Sequence, residues 1–266
     1  SRLSSSMHLG AFEVEFGRNT ELGDNLRASL ILTVIISAAL AVFGKIICMG
    51  TGTPVIGIAE MIIISVISGT LAGILVTVVG VLVSIVCYRK FWDLDMVGAP
   101  AVTTLGDIVT LPFLVMTALL VTALPFAGKA VLGCIVLAML LWAVISFKRG
   151  TRTMMDVLRE GLPLLLPLSL LGITAGVLYT NQLDALISAA AVLILISPFM
   201  NGCGSIGGIL TSRIGTEMHM GMIDPVLFPQ KTVLKHFGEN YIYAVIFLPL
   251  MGAISHYAAL LLGITT

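Results

Sequence analysis

Charge is what this chain has least of. Only 11% of its 266 residues are Asp, Glu, Lys or Arg, less than half the roughly 25% of a soluble domain. A chain so poor in charge cannot cover a water-facing surface, which excludes a soluble enzyme and a disordered polypeptide. Neither sign is in excess: 14 basic and 14 acidic residues give a formal net charge of +0. Nothing polyelectrolytic is therefore present to attract nucleic acid, and none is expected as a partner. Cysteine is scarce as well. Cys48, Cys87, Cys134 and Cys203 stand singly in apolar runs, without a CxxC pair or a Cys/His cluster. They read as small core residues, not disulfides or metal ligands. Residues 1–27 carry charges throughout and contain no apolar h-region, so no signal peptide is read there. No nucleophile–base–orienter set occurs within one span, and residues 204–208 lack the Lys and preceding strand of a nucleotide loop. No catalysis and no organic cofactor are expected.

Apolar sequence is what fills the chain: 58% of residues, with a mean hydropathy of +1.10. A membrane helix takes about 20 mostly apolar residues. The runs predict seven spans, at 28–49, 55–88, 100–126, 129–147, 161–180, 183–211 and 239–263, and hence an all-α, multi-pass bundle in the lipid bilayer. Residues 151–160 read as a short amphipathic helix at the interface. The run 55–88 is too long for one straight crossing, and Pro54, Gly57 and Glu60 point to an irregular or tilted start.

Basic residues sort the connecting segments by side. Residues 1–27, 89–97, 148–160 and 212–238 hold 12 of the 14 Lys and Arg, and only Lys45 and Lys129 fall opposite. The positive-inside rule places those four segments, residues 1–27 included, in the cytoplasm of a plasma-membrane protein.

The first ten residues return late in the chain. Ser1, Arg2, Met7, His8 and Gly10 align with Ser212, Arg213, Met218, His219 and Gly221 at one constant offset, and Glu13 aligns with Asp224. Rare residue types matching at one offset indicate an internal duplication. Six spans separate the copies, so the repeats are parallel, related by an axis along the membrane normal. The chain covers one period and part of the next. Two whole repeats would need roughly 400 residues, so a longer protein is expected.

Ionisable groups inside hydrocarbon are costly, about 2.5–3.5 kcal/mol each on the insertion scale, and mark function by default. Two acidic residues stand more than two positions inside a span, Glu60 and Asp107. Glu60, near an outer end, reads as an interfacial carboxylate. Asp107 lies a third of the way into its span, with Thr103 four residues before it on the same helical face and Thr110 extending the polar stripe. Pro100 and Pro112 remove backbone donors and so free carbonyl oxygens. An oxygen-only set suits a hard divalent cation, and Mg²⁺ keeps most of its own waters. The alternative is that Asp107 only hydrogen-bonds a neighbouring helix.

A second feature runs from Ser197 to Gly208, with four glycines in seven residues after Pro198. It is expected to break or thin the sixth span, and Asn201 and Ser205, at helical spacing, are candidates to face a pore. Close helix packing through small residues is the alternative, and the spacing does not decide between them. Asp93 and Asp95 stand just before Gly98-Ala99-Pro100, either as a cation vestibule or as helix N-terminal charge.

The stretch Asp93-Leu-Asp95-Met-Val-Gly-Ala-Pro100-Ala-Val-Thr103-Thr104-Leu-Gly-Asp107-Ile-Val-Thr110-Leu resembles the last helix of the MgtE-type magnesium transporter domain. Asn201 through Gly221, closed by Ser212-Arg213, resembles that family's glycine-and-asparagine helix. The likeness is closest to the two-repeat branch of archaeal permease-like and solute carrier 41-like proteins. It implies a five-span unit, paired about a two-fold axis in a homodimer or a pseudo-dimer of repeats. It divides the chain into 1–127 as the latter part of a first repeat, 128–150 as a linker span and 151–266 as the early part of a second. It further implies that Asp107 lines the pore and, with the backbone near Thr103, holds hydrated Mg²⁺ as the transported ion. Thr104, Thr110, Asn201 and Ser205 are candidates to line the pore with it. Two other functions fit the residues alone. One is a proton- or sodium-coupled transporter working through Asp107, and the other is a non-transporting assembly subunit.

Overall fold

The computed structural model describes residues 20–52, 55–182, 190–224, 226, 230–261 and 263. Among them are seven α-helices and no strand: α1 Glu21–Thr51, α2 Ile58–Lys90, α3 Leu94–Ala123, α4 Phe126–Lys148, α5 Arg152–Asn181, α6 Ala190–His219 and α7 Lys231–Leu261. All seven carry windows long and apolar enough to cross a membrane. At 1.5 Å per residue a 30-residue helix is about 45 Å long, against about 30 Å of hydrocarbon. The excess length at the helix ends is where the polar side chains gather.

Local chemistry sets the ends. Thr20 caps α1, its hydroxyl oxygen accepting from the Gly23 N–H at 3.3 Å. Asp93 caps α3, its Oδ1 accepting from the Asp95 N–H at 2.9 Å. Thr151 caps α5 through the Met154 N–H at 3.4 Å. The α6 helix ends on Gly221 at φ 71°, where the Gly221 N–H bonds the Met218 carbonyl at 3.1 Å and the Met222 N–H reaches the Glu217 carbonyl at 2.9 Å. A side chain at that left-handed position is strained. Gly221→Ala is therefore expected to lower stability by about 1–2 kcal/mol, read as a drop in thermal unfolding temperature in detergent.

The spans differ from expectation in three places. Residues 152–160 are not a separate interfacial helix but the first turns of α5, which is continuous from Arg152 to Asn181; Met154 and Leu158 of these turns are buried in the core with residues of α1 to α4. The glycine-rich stretch does not break its span: α6 is helical without interruption from Ala190 to His219, Pro198 included. In a membrane an unbroken helix satisfies every backbone group internally, and packing along α7 supports it. The connection expected at 212–238 is shorter, since α6 runs to His219 and α7 starts at Lys231. Residues 1–19 and 183–189, which include the first copy of the repeated motif and the expected start of the sixth span, lie outside the described residues.

The chain forms two compact units. One comprises Glu13–Val78 and Ile108–Asn181. Its core is Ala28, Ile31 and Val34 of α1, Ile63, Ile64 and Val66 of α2, Val121 of α3, Val136 and Ala143 of α4, and Met154 and Leu158 of α5. The Ser65 hydroxyl donates to the Ser37 carbonyl at 2.7 Å, a bond between α1 and α2. At one end Lys45 Nζ donates to the Ile56 carbonyl at 2.9 Å and Lys129 Nζ pairs with Glu60 Oε1 at 2.6 Å. The two basic residues that stand apart from the others in the sequence therefore tie down the segment that opens α2, and Glu60 is an ion-pair partner. At the other end the Thr151 hydroxyl donates to Asp24 Oδ2 at 2.6 Å. The second unit comprises Ser1–Phe12, Val79–Asp107 and Gln182–Thr266, and it holds the candidate site.

A candidate cation site between α3 and α6

In the second unit α3 and α6 approach through their smallest and most polar residues. A Cβ built on Gly208 would stand 3.1 Å from Ala99 Cβ, so the absence of a side chain there lets the two backbones come close. One turn further along α3, Thr103 Oγ1 lies 2.9 Å from Ser205 Oγ. The Thr104 hydroxyl donates to Asn201 Oδ1 at 3.4 Å, and the Ser205 hydroxyl reaches the same oxygen at 3.2 Å. Polar residues from two distant segments of the sequence are thus one cluster of four oxygens.

The cluster has more acceptor capacity than protons. The Thr103 hydroxyl is also within reach of the Ala99 carbonyl at 2.9 Å and the Pro100 carbonyl at 3.2 Å. Three hydroxyl protons serve all these contacts, so lone pairs stay open whichever way the hydroxyls rotate. The two prolines leave the carbonyls of Met96 and Ile108 without their helical donors, while the Thr103 carbonyl keeps its place in the ladder. One turn beyond Thr103 and Thr104 comes Asp107. Its side chain is exposed, and no described residue hydrogen-bonds or ion-pairs with it. Thr110, a further turn on, is also exposed. The bond to a neighbouring helix that the alternative reading of Asp107 requires is not made among the described residues.

The glycines of α6 divide by role. Gly202 is buried against the Phe247 ring of α7 and Gly208 packs against α3, whereas a Cβ placed on Gly204 or Gly207 would meet nothing within 4 Å. Close packing accounts for the first pair; the second pair leaves an open, small-residue strip beside the oxygen cluster. Among the described residues no group of three or more His, Cys, Asp or Glu is placed to cage a metal ion. One carboxylate beside neutral oxygens suits an ion that keeps its water shell and is held loosely.

Asp93 and Asp95 sit in a different set of bonds. The Ser212 hydroxyl donates to the Oδ1 of Asp95, which is buried, and Arg213 Nη2 lies 3.6 Å from Asp93 Oδ2. Arg213 Nη1 also donates to Glu239 Oε2 at 3.2 Å. Glu217 accepts from or pairs with His236 Nε2 at 2.9 Å, and Asn240 Nδ2 donates to the His236 carbonyl at 2.9 Å. Sequence reasoning misses Glu217, His236, Glu239 and Asn240, which fall in or beside an expected connecting segment. The signal that could have found them is helical spacing: 235, 236, 239 and 240 fall on one face of α7.

Seven helices long and apolar enough to cross a membrane, two of them meeting through a cluster of hydroxyl and amide oxygens, point to a multi-pass membrane protein. Residues 1–117 match the family model MgtE, described as a divalent cation transporter. The matched segment includes Asp93, Asp95, Thr103, Thr104, Asp107 and Thr110. No curated protein and no solved structure matches the chain.

Proposed function

We propose that this chain forms a pathway for divalent cations across the membrane, Mg²⁺ foremost, with the ion held by Asp107 beside the oxygens of Thr103, Thr104, Asn201 and Ser205. The observation that carries the reading is the meeting of Thr103 and Thr104 with Asn201 and Ser205 one turn from an exposed carboxylate. Neutral oxygens orient the water shell of a hard cation, and the single carboxylate supplies the charge. A hydrated ion passing such a site need not shed its shell, which is the costly step for Mg²⁺.

The chain is read as part of a two-repeat protein of the plasma membrane, with residues 1–27 cytoplasmic. Residues 1–127 form the latter part of a first repeat, 128–150 a linker span and 151–266 the early part of a second. The equal length of α1 and α7, 31 residues each, and their starts at Glu21 and Lys231 support the duplication. A second repeat or a second copy would bring a further Asp107 counterpart to the same axis.

The test is cation flux into proteoliposomes loaded with a Mg²⁺-sensitive dye, with Ca²⁺, Mn²⁺ and Co²⁺ as competitors and with and without a pH gradient. Saturable Mg²⁺ uptake that is independent of proton and sodium gradients is expected. Flux that requires either gradient would replace this reading with ion-coupled transport, and absence of any flux would leave an assembly subunit.

A further inference from the structure

The paired α3 and α6 residues extend beyond the oxygen cluster. On α3, Asp95, Ala99 and Thr103 stand four residues apart, in one line along the helix. Opposite them on α6, in reverse order, stand Ser212, Gly208 and Ser205. The seam therefore has a polar tie at one end, a bare backbone contact in the middle and the oxygen cluster at the other end. The tie is eight residues from Thr103, about 12 Å along the helix.

That tie is chemically demanding. Asp95 is 3% exposed, and a buried carboxylate without hydrogen bonds is costly, so its bond from Ser212 cannot be lost lightly. The next residue, Arg213, uses its two terminal nitrogens differently: Nη2 faces Asp93, the cap of α3, at 3.6 Å, and Nη1 donates to Glu239 of α7 at 3.2 Å. A planar guanidinium can span two acidic partners in fixed directions, which an ammonium cannot. Two adjacent side chains of α6 thus fasten the first turn of α3 and one turn of α7. The opening turns of α3 need such fastening, because Pro100 removes the donor that would have bonded the Met96 carbonyl. Ser-Arg is also the dipeptide that opens both copies of the repeated motif, Ser1-Arg2 and Ser212-Arg213.

We propose that Ser212 and Arg213 are positioning residues: by tying Asp95 and Asp93 they fix the register of α3 on α6 and so hold Thr103 and Thr104 against Asn201 and Ser205. The functional half of this inference rests on the proposed cation pathway; the register half stands on the helices alone. A helix is stiff, so a slip or rotation at the tie displaces the cluster about 12 Å away by a comparable amount. A site built from hydroxyl contacts at 2.9–3.4 Å does not survive a displacement of an ångström, since such bonds weaken steeply with distance and angle. Ser212 and Arg213 touch no ion in this scheme.

The experiment uses the full chain in proteoliposomes, with Cys48, Cys87, Cys134 and Cys203 replaced by Ser or Ala. A reporter pair, Ala99→Cys with Gly208→Cys, puts two Cβ atoms close to the separation a disulfide needs. Its rate of oxidative cross-linking reads the register directly. In parallel, and without the reporter, the Mg²⁺ concentration dependence of flux is measured. Ser212→Ala with Arg213→Gln is expected to slow cross-linking and to raise the half-saturating Mg²⁺ concentration, each by about tenfold, with a smaller change in maximal rate. Ser212→Thr, which keeps the hydroxyl, should restore both, whereas Arg213→Lys, which loses the fork, should not. Unchanged cross-linking in the double variant overturns the register role. Slowed cross-linking with an unaltered half-saturation overturns the link to the site. Should the double variant not fold, Ser212→Ala and Arg213→Lys singly carry the same comparison. A wild-type protein without flux sinks the cation pathway, while cross-linking still decides the register.

Discussion

Replacing Asp107 by asparagine is expected to reduce Mg²⁺ flux about tenfold to a hundredfold while leaving the thermal stability of the chain unchanged. The first half follows from charge. Asp107 stands one turn along α3 from Thr103 and Thr104, whose oxygens meet those of Asn201 and Ser205, and hydrogen bonds to a charged group, such as those from the ion's water shell, are worth about 1.5–3 kcal/mol. At about 1.4 kcal/mol per factor of ten, that sets the size of the loss. The second half follows from the exposure of the side chain and from the lack of any bond to it among the described residues. Removing a carboxylate that supports no neighbour leaves no orphaned partner behind.

The two readings of Asp107 therefore predict opposite phenotypes. If the carboxylate served to join helices, Asp107→Asn would weaken the fold and spare flux in the protein that remained. If it holds the ion, flux falls in a protein that unfolds at the wild-type temperature. Asp107→Glu separates charge from position: it keeps the carboxylate and moves it by one methylene, so an intermediate flux is expected. Wild-type flux in Asp107→Asn would remove this residue from the pathway whatever its effect on stability.

The spans were legible because hydropathy and helix length measure the same thing, and each of the seven apolar runs became a helix. Their ends were not. A hydropathy window stops at the first charge, whereas a helix continues as long as its backbone bonds and one face can be buried. Arg152–Glu160 shows the difference: Met154 and Leu158 pack into the core against the other helices from a stretch whose polar residues read as an interface. Of the site, the Thr103–Asp107 stripe could be read from spacing within one helix. Its pairing with Asn201 and Ser205 joins residues about a hundred positions apart, and no periodicity encodes which helix faces which. The same limit concealed the bonds that occupy Asp93 and Asp95, since Ser212 and Arg213 lie in another element. The glycines of α6 misled for a local reason. Four in seven residues lower helix propensity in water, but in an apolar environment the helix is the cheapest way to satisfy those peptide groups.

The largest effect on folding is expected outside the cluster, in the other unit. Asp24, in the first turn after the Thr20 cap, is 2% exposed. Its Oδ2 accepts from the Thr151 hydroxyl at 2.6 Å, Oδ1 has no hydrogen-bond partner among the described residues, and the Arg27 guanidinium stands off at 3.8 Å. The oxygen of that same Thr151 hydroxyl caps α5 by accepting from the Met154 N–H at 3.4 Å. Thr151→Val keeps the shape and removes both functions at once. Losing a hydrogen bond to a buried charged group costs about 1.5–3 kcal/mol, and losing a threonine cap about 1 kcal/mol. A loss of about 3 kcal/mol is therefore expected, visible as a drop of several degrees in unfolding temperature. Thr151→Ser retains the hydroxyl and should stay near wild type. Asp24→Leu combined with Thr151→Val should recover most of the bond's share of the loss, because deleting both members of a buried polar pair is far less costly than deleting one. The double-mutant cycle isolates that coupling from the cap. A Thr151→Val protein as stable as Thr151→Ser would show that the Asp24 carboxylate finds other partners and that this buried bond does not hold α5 to α1.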